Sequence, residues 1–554
     1  IAFYDSLGSI AFMRRVLFPL LFLVSSFPAL SREVPRPRLV VGIVVDQMRW
    51  DYLYRFYNHF GENGFKRLMN EGFRCEQTFI NYLPSFTAPG HATIYTGSVP
   101  AIHGIAANDW IENGQREYCT EDKTALPVGG SFKWGQMSPM NLKTSTITDE
   151  LRLATNFRSR VYGVSLKDRS SILPAGHLAN GAFWFDDSTG TFTTSSFYSK
   201  NLPNWLVRFN EHHSADSILV NDWTLRDAPR KYYQSEPDNS PYEGKFSKQE
   251  PSTSFPHKAE YFLGKGNEKY HTVRELPVGD ALTFQLAKAC VNANKLGQFS
   301  DPDFLCISLS APDYIGHQFG PNSMEVEDTY VRLDAQLAQF LSFLDEKLGK
   351  GNYTIFLTSD HGAAHNSRYL NDHKMPAGNL SISSMKKELN TYLKTQTGVD
   401  DLVKSLINYQ VFFKEENLKR AKQNRAEIRS LIVSWLRQRP EVQFVADLEA
   451  GELNTIPEPI RTMMVNGYVP GRSGCIQFIP PPAYYSGYAA TGTTHGTWNP
   501  YDTHIPLLWY GWGVLKGSTN RHIDMTDIAA TLAALLHIQM PNGCVGKVIT
   551  EIAP

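Results

Sequence analysis

The chain has 554 residues, of which 42% are hydrophobic and 20% are charged, as in globular proteins that bury a large core. Lys plus Arg (54) nearly balance Asp plus Glu (55), and the formal net charge is −1. This balance gives no electrostatic footprint for nucleic acid or an anionic membrane, so any anion site must be local.

The N-terminus has the pattern of a signal peptide. Met13-Arg14-Arg15 is basic, Val16–Phe27 is apolar, and residues 28–31 fit a cleavage site. The apolar run is too short to span a bilayer comfortably. We therefore predict an N-terminal extension plus signal peptide over residues 1–31, with a start at Met13. An uncleaved anchor is the alternative.

Four apolar runs predict strands buried on both faces of a parallel sheet. Each run ends in charged or imidazole side chains, and ligands of such sheets bind beyond the carboxyl ends of the strands. Predicted helices lie between them, so the pattern indicates an α/β fold. The strands are Arg38–Asp46, Arg160–Leu166, Asp303–Ser310 and Asn352–Asp360, with a late one at Ile505–Tyr510; the helices are Tyr54–Gly72, Gly279–Ala293, Glu325–Leu348, Glu415–Gln438 and Met525–Leu536.

Two stretches interrupt this alternation, at about 170–275 and 364–492. The first contains aromatic clusters, Pro-rich turns and polar loops, and we interpret it as an insertion that covers the site. We interpret the other as a second insertion. Residues 32–554 are thus predicted to form a single domain with two insertions. The six scattered cysteines form no CxxC pair, which disfavours a thiolate zinc site and leaves disulfide pairing open.

The stretch Asn81–Thr96 predicts a loop that leads into a helix. Thr87 suits the N-cap position, and Pro89 is tolerated in the first turn. The N-terminus of a helix attracts anions, so a hydroxyl held there beside a phosphate is a candidate nucleophile. On this stretch alone, a plain helix cap is the simpler interpretation.

Three carboxylates and three imidazoles on predicted strand ends or loops suggest a metal centre. Mixed N/O ligands without thiolate suit zinc, and two ions about 4 Å apart would need about this many side chains. One ion, held by Asp46, Asp360 and His361, would bind the Thr87 oxygen. The other would be held by Asp313, His317 and His495. His365 and His504 are rival ligands that we interpret as structural or supporting residues.

Lys167 and Arg169 follow the second strand. If the chain stays extended there, both side chains point the same way and can clamp the oxygens of a phosphate. A KxR pair by itself is usually solvated surface. The charged helix Glu415–Gln438 is likewise interpreted as a solvated face.

Together these motifs resemble the alkaline phosphatase superfamily, most closely the PafA-type bacterial alkaline phosphatases, a branch near the nucleotide pyrophosphatase/phosphodiesterases. The resemblance spans Val40 to Gly511 in family order. The matching stretches are VVGIVVDQMRWDYL, NYLPSFTAPGHATIYTGSVPAIHGI, AANDW, SLKDRSSILPAGH, APDYIGHQFGP, LTSDHGAAH and TGTTHGTWNPYDTHIPLLWYG.

The resemblance implies a mostly parallel central sheet flanked by helices on both faces, with cap insertions. It also implies two Zn²⁺ per chain, a covalent phosphothreonine on Thr87, and phosphate contacts from Asn108, Lys167 and Arg169. The metal ligands that it implies are Asp46, Thr87, Asp313, His317, Asp360, His361 and His495.

The sequence therefore predicts an exported alkaline phosphatase that hydrolyses small-molecule phosphate monoesters with broad specificity. We expect a monomer, periplasmic or secreted in a bacterium, with no nucleic-acid partner and no stable membrane association after signal cleavage. A phosphodiesterase or nucleotide pyrophosphatase on the same metal site is the alternative. A sulfatase is disfavoured because Thr87 is not the Cys or Ser that would mature to formylglycine. A non-catalytic phosphate-binding protein would have no reason to keep every metal ligand together with the nucleophile.

Overall fold

The computed structural model describes residues 35–553, apart from 265, 452, 454, 488 and 489. The signal peptide predicted for residues 1–31 lies outside the described residues. The strands are β1 (Leu39–Val45), β2 (Phe73–Phe79), β3 (Asp109–Glu112), β4 (Gln115–Tyr118), β5 (Pro127–Val128), β6 (Val161–Ser165), β7 (Gly181–Asp186), β8 (Thr191–Ser195), β9 (Asp303–Leu309), β10 (Tyr353–Thr358), β11 (Gly378–Leu380), β12 (Val403–Ser405), β13 (Gln410–Phe413), β14 (Phe444–Asp447), β15 (Ile476–Ile479), β16 (Tyr484–Ser486), β17 (His504–Ile505), β18 (Leu507–Gly511) and β19 (Gly517–Asp524).

The helices are α1 (Tyr52–Arg55), α2 (Phe65–Glu71), α3 (Thr87–Thr96), α4 (Pro100–His103), α5 (Phe132–Gly135), α6 (Ile147–Ala154), α7 (Asp168–Ala175), α8 (Asn204–His212), α9 (Ala215–Ile218), α10 (Val278–Asn294), α11 (Ala311–Phe319), α12 (Met324–Leu348), α13 (Ser367–Asp372), α14 (Ile382–Thr397), α15 (Glu415–Leu418), α16 (Arg425–Arg437), α17 (Ile460–Gly467), α18 (Pro500–Thr503) and α19 (Asp527–Leu536). Among the described residues, no helix has the length and apolar character needed to cross a membrane.

An eleven-stranded mixed sheet organises the fold, in the order β17-β2-β18-β10-β1-β9-β6-β7-β8-β5, with β19 paired to β2. Its centre, β10-β1-β9-β6-β7, is parallel. On either side of this centre, β18 and β8 pair in the antiparallel sense. The predicted α/β fold is confirmed, and its parallel character holds for the central strands that carry the site.

Strand β1 shows why the centre of the sheet is apolar throughout. Its odd-numbered residues, such as Val41 and Ile43, join a core with α10 and α12. Its even-numbered residues, such as Val40 and Val44, join a second core with α3, α6 and α19. Helices therefore cover both faces, and a strand in this position has no polar face to alternate with.

The first interruption of the pattern begins later than predicted. Most of helix α7 and the whole of strands β7 and β8 fall within the predicted insertion at 170–275, yet β7 pairs with β6 in the central sheet. The run Gly181–Asp186 is buried throughout, so it lacks the alternation that marks a half-exposed strand. The irregular segment starts only after β8.

Two predicted helices are broken. In place of Tyr54–Gly72, the chain forms α1, a short 3₁₀ turn and α2. In place of Glu415–Gln438, it forms α15 and α16, because Asn424 starts a new helix in a capping box with Glu427. Helix α16 packs with α14 and the four-stranded sheet β12-β13-β15-β14 around a separate core within the second insertion.

Candidate active site

Three neighbouring parallel strands deliver carboxylates to one edge of the sheet. Asp46 directly follows β1, Asp360 lies two residues beyond β10, and Asp313 lies in the first turn of α11 after β9. Because β1 pairs with both β10 and β9, these three strand ends meet. The carboxylates are buried, with side chains at most 5% exposed.

Imidazoles join these carboxylates in two groups that could hold a metal ion. One group is Asp313, His317 and His495, and the other is Asp46, Asp313 and His361; within each, the ligand atoms lie within 4.8 Å of one another. Asp313 thus belongs to both groups. The predicted trio of Asp313, His317 and His495 is brought together. The other group contains Asp313 where Asp360 was predicted.

Asp360 nevertheless lies at the same cluster. Its Oδ2 is 3.5 Å from His361 Nε2, and Asp46 Oδ1 is also 3.5 Å from that nitrogen. Both oxygens are buried without a hydrogen bond among the described residues. Buried carboxylate oxygens without partners are costly unless a cation satisfies them, so this donor set fits a bound metal.

The orientation of the three imidazoles also fits metal binding. Each Nδ1 lies at hydrogen-bond distance from a backbone carbonyl: 2.9 Å to Thr493 for His317, 3.0 Å to Gly362 for His361 and 2.8 Å to Ser85 for His495. A carbonyl accepts only from N–H, so each Nε2 keeps a lone pair that faces the carboxylates. Metal-binding histidines are commonly oriented in this way.

Burial also favours the neutral ligand form of two imidazoles. The pKa of His361 is lowered by burial, and the pKa of His495 is lowered far more, by burial and by the His361 and His317 rings. For His317, burial acts in the same direction, but Asp313 outweighs it and raises the pKa. Burial raises the pKa of Asp46 well above its usual value, and the Asp360 carboxylate raises it further. Like charges confined in this way need a cation.

Thr87 lies next to this cluster at the start of a helix. It is the first residue of α3, Phe86 being the N-cap, so the predicted capping role is off by one position. Its hydroxyl caps no helix amide and lies 3.3 Å from His361 Nε2, with the residue only 1% exposed. A Cβ at Gly90 would lie 2.7 Å from the Asp360 backbone oxygen, so glycine there lets α3 approach the cluster.

Asn108 is fixed beside Thr87. Its side-chain oxygen accepts a hydrogen bond of 2.9 Å from the amide of Ala88. This bond fixes which end of the side-chain amide is the acceptor and leaves Nδ2 as a donor. Among the described residues, that donor has no protein partner, so it is available to an oxyanion beside Thr87.

Lys167 and Arg169 do not share one face of an extended strand, so that part of the prediction is wrong. Strand β6 ends at Ser165, and α7 begins at Asp168, so the two residues lie in a strand-to-helix turn and not on one extended strand. Lys167 Nζ lies 2.6 Å from Asp46 Oδ2 and 2.5 Å from Asp313 Oδ2. Burial lowers the pKa of Lys167, but these two carboxylates outweigh burial and raise it.

Arg169 has a different hydrogen-bond partner from Lys167. Its NH1 donates to the hydroxyl of Tyr118 at 3.0 Å, and its Nε is buried without a partner among the described residues. Both cations remain close to Tyr314, whose ring centroid lies 4.8 Å from Lys167 Nζ. Burial lowers the pKa of Arg169, but Tyr118 and then Tyr314 outweigh burial and raise it.

Several residues at the site were not found from the sequence. Gln47 adopts a left-handed backbone conformation (φ 65°). Its side-chain Nε2 donates to Asp313 Oδ1 at 2.7 Å, and its backbone N–H donates to Asp360 Oδ1. His91 lies 3.3 Å from Asp360 Oδ2. The i, i+4 spacing from Thr87 to His91 was a readable signal, whereas nothing in the sequence pointed to Gln47.

The rival ligands are engaged elsewhere. His365 Nε2 lies 3.2 Å from Arg49 NH1. His504 Nε2 lies 2.8 Å from the Glu76 carbonyl oxygen, and its ring stacks on Trp50. The six cysteines are all free thiols, and none belongs to either metal group.

A cavity of about 680 Å³ lies away from this cluster, between the tip of the β3–β4 hairpin and the second insertion. Its lining includes Asn113, Gly114, Phe413 and Tyr468. None of the carboxylates or imidazoles described above lines it.

An α/β sheet whose parallel strand ends gather carboxylates and imidazoles around a buried hydroxyl defines a metal-dependent hydrolase. The chain belongs to the type I phosphodiesterase / nucleotide pyrophosphatase family, whose model matches residues 40–502. This confirms the resemblance inferred from the motifs.

Named relatives match over nearly their whole length. Alkaline phosphatase PafA from Elizabethkingia meningoseptica is 48% identical over 94% of this chain and 95% of its own. Alkaline phosphatase PhoV from Synechococcus elongatus is 47% identical over 95% of this chain and 94% of its own. A protein named calcium-transporting ATPase from Myroides odoratus is 47% identical over 95% of this chain and 96% of its own.

Solved structures of alkaline phosphatase PafA are also similar to this chain. The crystal structure of wild-type alkaline phosphatase PafA matches with a TM-score of 0.91 and 48% identity over 94% of this chain and all of that one. A PafA variant matches with a TM-score of 0.90 and 47% identity over the same shares of the two chains. In that variant one threonine is replaced by serine, and one asparagine, one lysine and one arginine are replaced by alanine.

Proposed function

We propose that the chain is an exported, two-zinc alkaline phosphatase that hydrolyses phosphate monoesters through a covalent phosphothreonine on Thr87. The observation that carries this proposal is the buried Thr87 hydroxyl, 3.3 Å from His361 Nε2 at the edge of the carboxylate–imidazole cluster. The names of the relatives support the substrate class. The four residue types replaced in the PafA variant are those of Thr87, Asn108, Lys167 and Arg169.

Zinc suits the donor set better than calcium or magnesium, because three of the seven predicted side-chain ligands are imidazoles. Asp46, Asp360 and His361 would hold one ion beside Thr87, and Asp313, His317 and His495 would hold the other. The proximity of Asp313 to both groups suits two ions close together. When bound, zinc stabilises negative charge on oxygens that attack or leave phosphorus and lowers the pKa of water.

The reaction takes place in two displacements at phosphorus. First, the Thr87 hydroxyl gives up its proton as its oxygen forms a bond to phosphorus, the ester P–O bond breaks, and the leaving oxygen takes up one proton to give the alcohol. Second, a water oxygen forms a bond to phosphorus while the bond to Thr87 breaks, which releases inorganic phosphate and restores the hydroxyl. The N-terminus of α3 favours the anion in both steps.

Asn108, Lys167 and Arg169 orient the phosphoryl group. A monoester dianion has three non-bridging oxygens, and one amide donor with two cations can neutralise them. A diester carries a substituent on one of these oxygens, so the same groups would serve it less well. The site should therefore favour monoesters over the diesters that the family's name indicates.

The test compares matched aryl monoester and diester substrates with the purified chain. We expect kcat/KM to be higher for the monoester by orders of magnitude. A wild-type protein that favours the diester would instead support the phosphodiesterase. A protein that binds inorganic phosphate but turns over neither substrate would support a non-catalytic role.

The proposal extends to the surroundings of the enzyme. The predicted signal peptide, Met13 start and periplasmic or secreted location can be tested by N-terminal sequencing of the protein recovered from each cell fraction. A mature N-terminus near residue 32 is expected. Size-exclusion chromatography with light scattering tests the proposed monomer.

A further inference from the structure

The hairpin formed by β3 and β4 carries two residues that flank the proposed phosphate site. Asn108 directly precedes β3, and Tyr118 is the last residue of β4. At the base of the hairpin Asp109 pairs with Tyr118, and the amide of Cys119 donates to the Asn108 carbonyl at 3.0 Å. The backbone therefore fixes Tyr118 relative to Asn108.

The hydroxyl of Tyr118 lies between opposite charges. It accepts from Arg169 NH1 at 3.0 Å and donates to Asp168 Oδ1 at 3.0 Å. Thr120 donates to the other oxygen of Asp168, Oδ2, at 2.5 Å. Burial raises the pKa of Tyr118 well above its usual value, so the hydroxyl keeps the proton that this chain of hydrogen bonds requires.

Arg169 depends on Tyr118 for its direction. Among the described residues, the Tyr118 hydroxyl is the only hydrogen-bond partner of the Arg169 guanidinium, and Nε of Arg169 is buried without a partner. Asp168 is adjacent in sequence and only 1% exposed. Without the Tyr118 hydroxyl, this carboxylate would lose a donor, and the adjacent Arg169 guanidinium would replace it. The cation would then turn toward Asp168 and away from substrate.

We propose that Tyr118 is a positioning residue that holds the Arg169 guanidinium toward the phosphoryl group and thereby sets the preference for monoesters. The inference rests on the proposed function, because Arg169 is assigned there to the phosphate. Tyr118 does not touch the reacting atoms. It acts by donating to Asp168, so that the remaining N–H groups of Arg169 stay available to the substrate.

The test uses Tyr118→Phe, Arg169→Ala and the double variant, assayed for kcat/KM on matched aryl monoester and diester substrates. Tyr118→Phe keeps the ring and removes the two hydrogen bonds. We expect a loss of roughly tenfold or more on the monoester, as for one charge-assisted hydrogen bond, and a much smaller loss on the diester. In the Arg169→Ala background, Tyr118→Phe should cause little further loss on the monoester.

Tyr198→Phe is the matched control. Tyr198 packs against the same small core cluster as Tyr118, and its hydroxyl donates to the Gly176 carbonyl at 3.1 Å. Tyr198→Phe therefore also removes a tyrosine hydroxyl and its hydrogen bond, but no bond to Arg169 or Asp168. It should leave the monoester-to-diester ratio unchanged. Equal losses on both substrates for Tyr118→Phe, or losses that add to those of Arg169→Ala, would overturn the proposal.

The wild-type enzyme separates the two hypotheses. If the wild type prefers the monoester and Tyr118→Phe retains that preference in full, the positioning role is wrong while the phosphatase assignment stands. If the wild type has no monoesterase activity, the assigned function itself fails. Inorganic phosphate provides an independent readout as a competitive inhibitor, and its inhibition constant should rise in Tyr118→Phe and stay the same in Tyr198→Phe.

Discussion

Replacing Lys167 with methionine tests whether its ammonium neutralises the carboxylate cluster. The substitution keeps an unbranched apolar stem of similar length and removes a buried cation 2.6 Å from Asp46 and 2.5 Å from Asp313. Removing one partner of a buried ion pair costs about 3–5 kcal/mol, because the charge left behind has no compensation. We expect the free energy of unfolding of metal-depleted protein to fall by about that much.

The measurement is urea denaturation of metal-depleted wild type and Lys167→Met, repeated with zinc present. Zinc should reduce the difference, because the same carboxylates would then have another cation. Lys350→Met is the control: its ammonium lies 3.0 Å from Glu71, but at the surface, where the side chains are 64% and 47% exposed, and exposed pairs contribute little. If metal-depleted Lys167→Met is as stable as wild type, or Lys350→Met is equally destabilised, the Lys167 ammonium does not neutralise the carboxylate cluster as expected.

Three further predictions concern the nucleophile, the metal and alkaline pH. Thr87→Ala should lose most monoester turnover yet keep its zinc, and acid-quenched wild type should carry labelled phosphate on Thr87; label on another residue would contradict the assignment. A strong chelator should abolish turnover and Zn²⁺ should restore it at about two ions per chain, whereas full turnover by metal-free protein would exclude this mechanism. His257 is buried between Glu250 and Glu325, and although burial lowers its pKa, these carboxylates outweigh burial and raise it to about 9. The stability that His257 contributes is therefore fully present below about pH 6.5, and roughly 3 kcal/mol of it is lost as the pH rises through about 9. His257→Gln should flatten that part of the curve of unfolding free energy against pH, and an unchanged slope would contradict this role of His257.

The catalytic strand ends could be predicted because their pattern is local. A run such as Arg38–Asp46 contains both the apolar segment and the carboxylate that follows it, so one stretch shows both strand and site. The structure brings Asp46, Asp360 and Asp313 together as the strand order requires. Asn424 gave an equally local signal, since Glu427 follows at capping-box spacing, but a charged helix was predicted to run through it.

Other features could not be predicted because they depend on segments distant in sequence. Nothing near Tyr118 in the sequence shows that its hydroxyl meets Arg169, which lies about fifty residues further on. Gln47 adopts a positive φ that a glutamine rarely takes, and only the packed site explains that conformation. Strand β7 was missed because its Phe183-Trp184-Phe185 run was interpreted as an aromatic cluster of an insertion, and its place beside β6 in the central sheet depends on the packed fold.

The order in which the site residues occur along the chain has a consequence for synthesis. The cluster draws on residues from Asp46 to His495, and β1 pairs with β9, which lies some 260 residues later. A nascent chain, or one truncated before His495, lacks one of the three imidazoles however well its N-terminal part folds. Contacts this distant in sequence also slow folding. Turnover would therefore report that the chain has been synthesised past His495 and folded, which gives a simple assay for complete maturation.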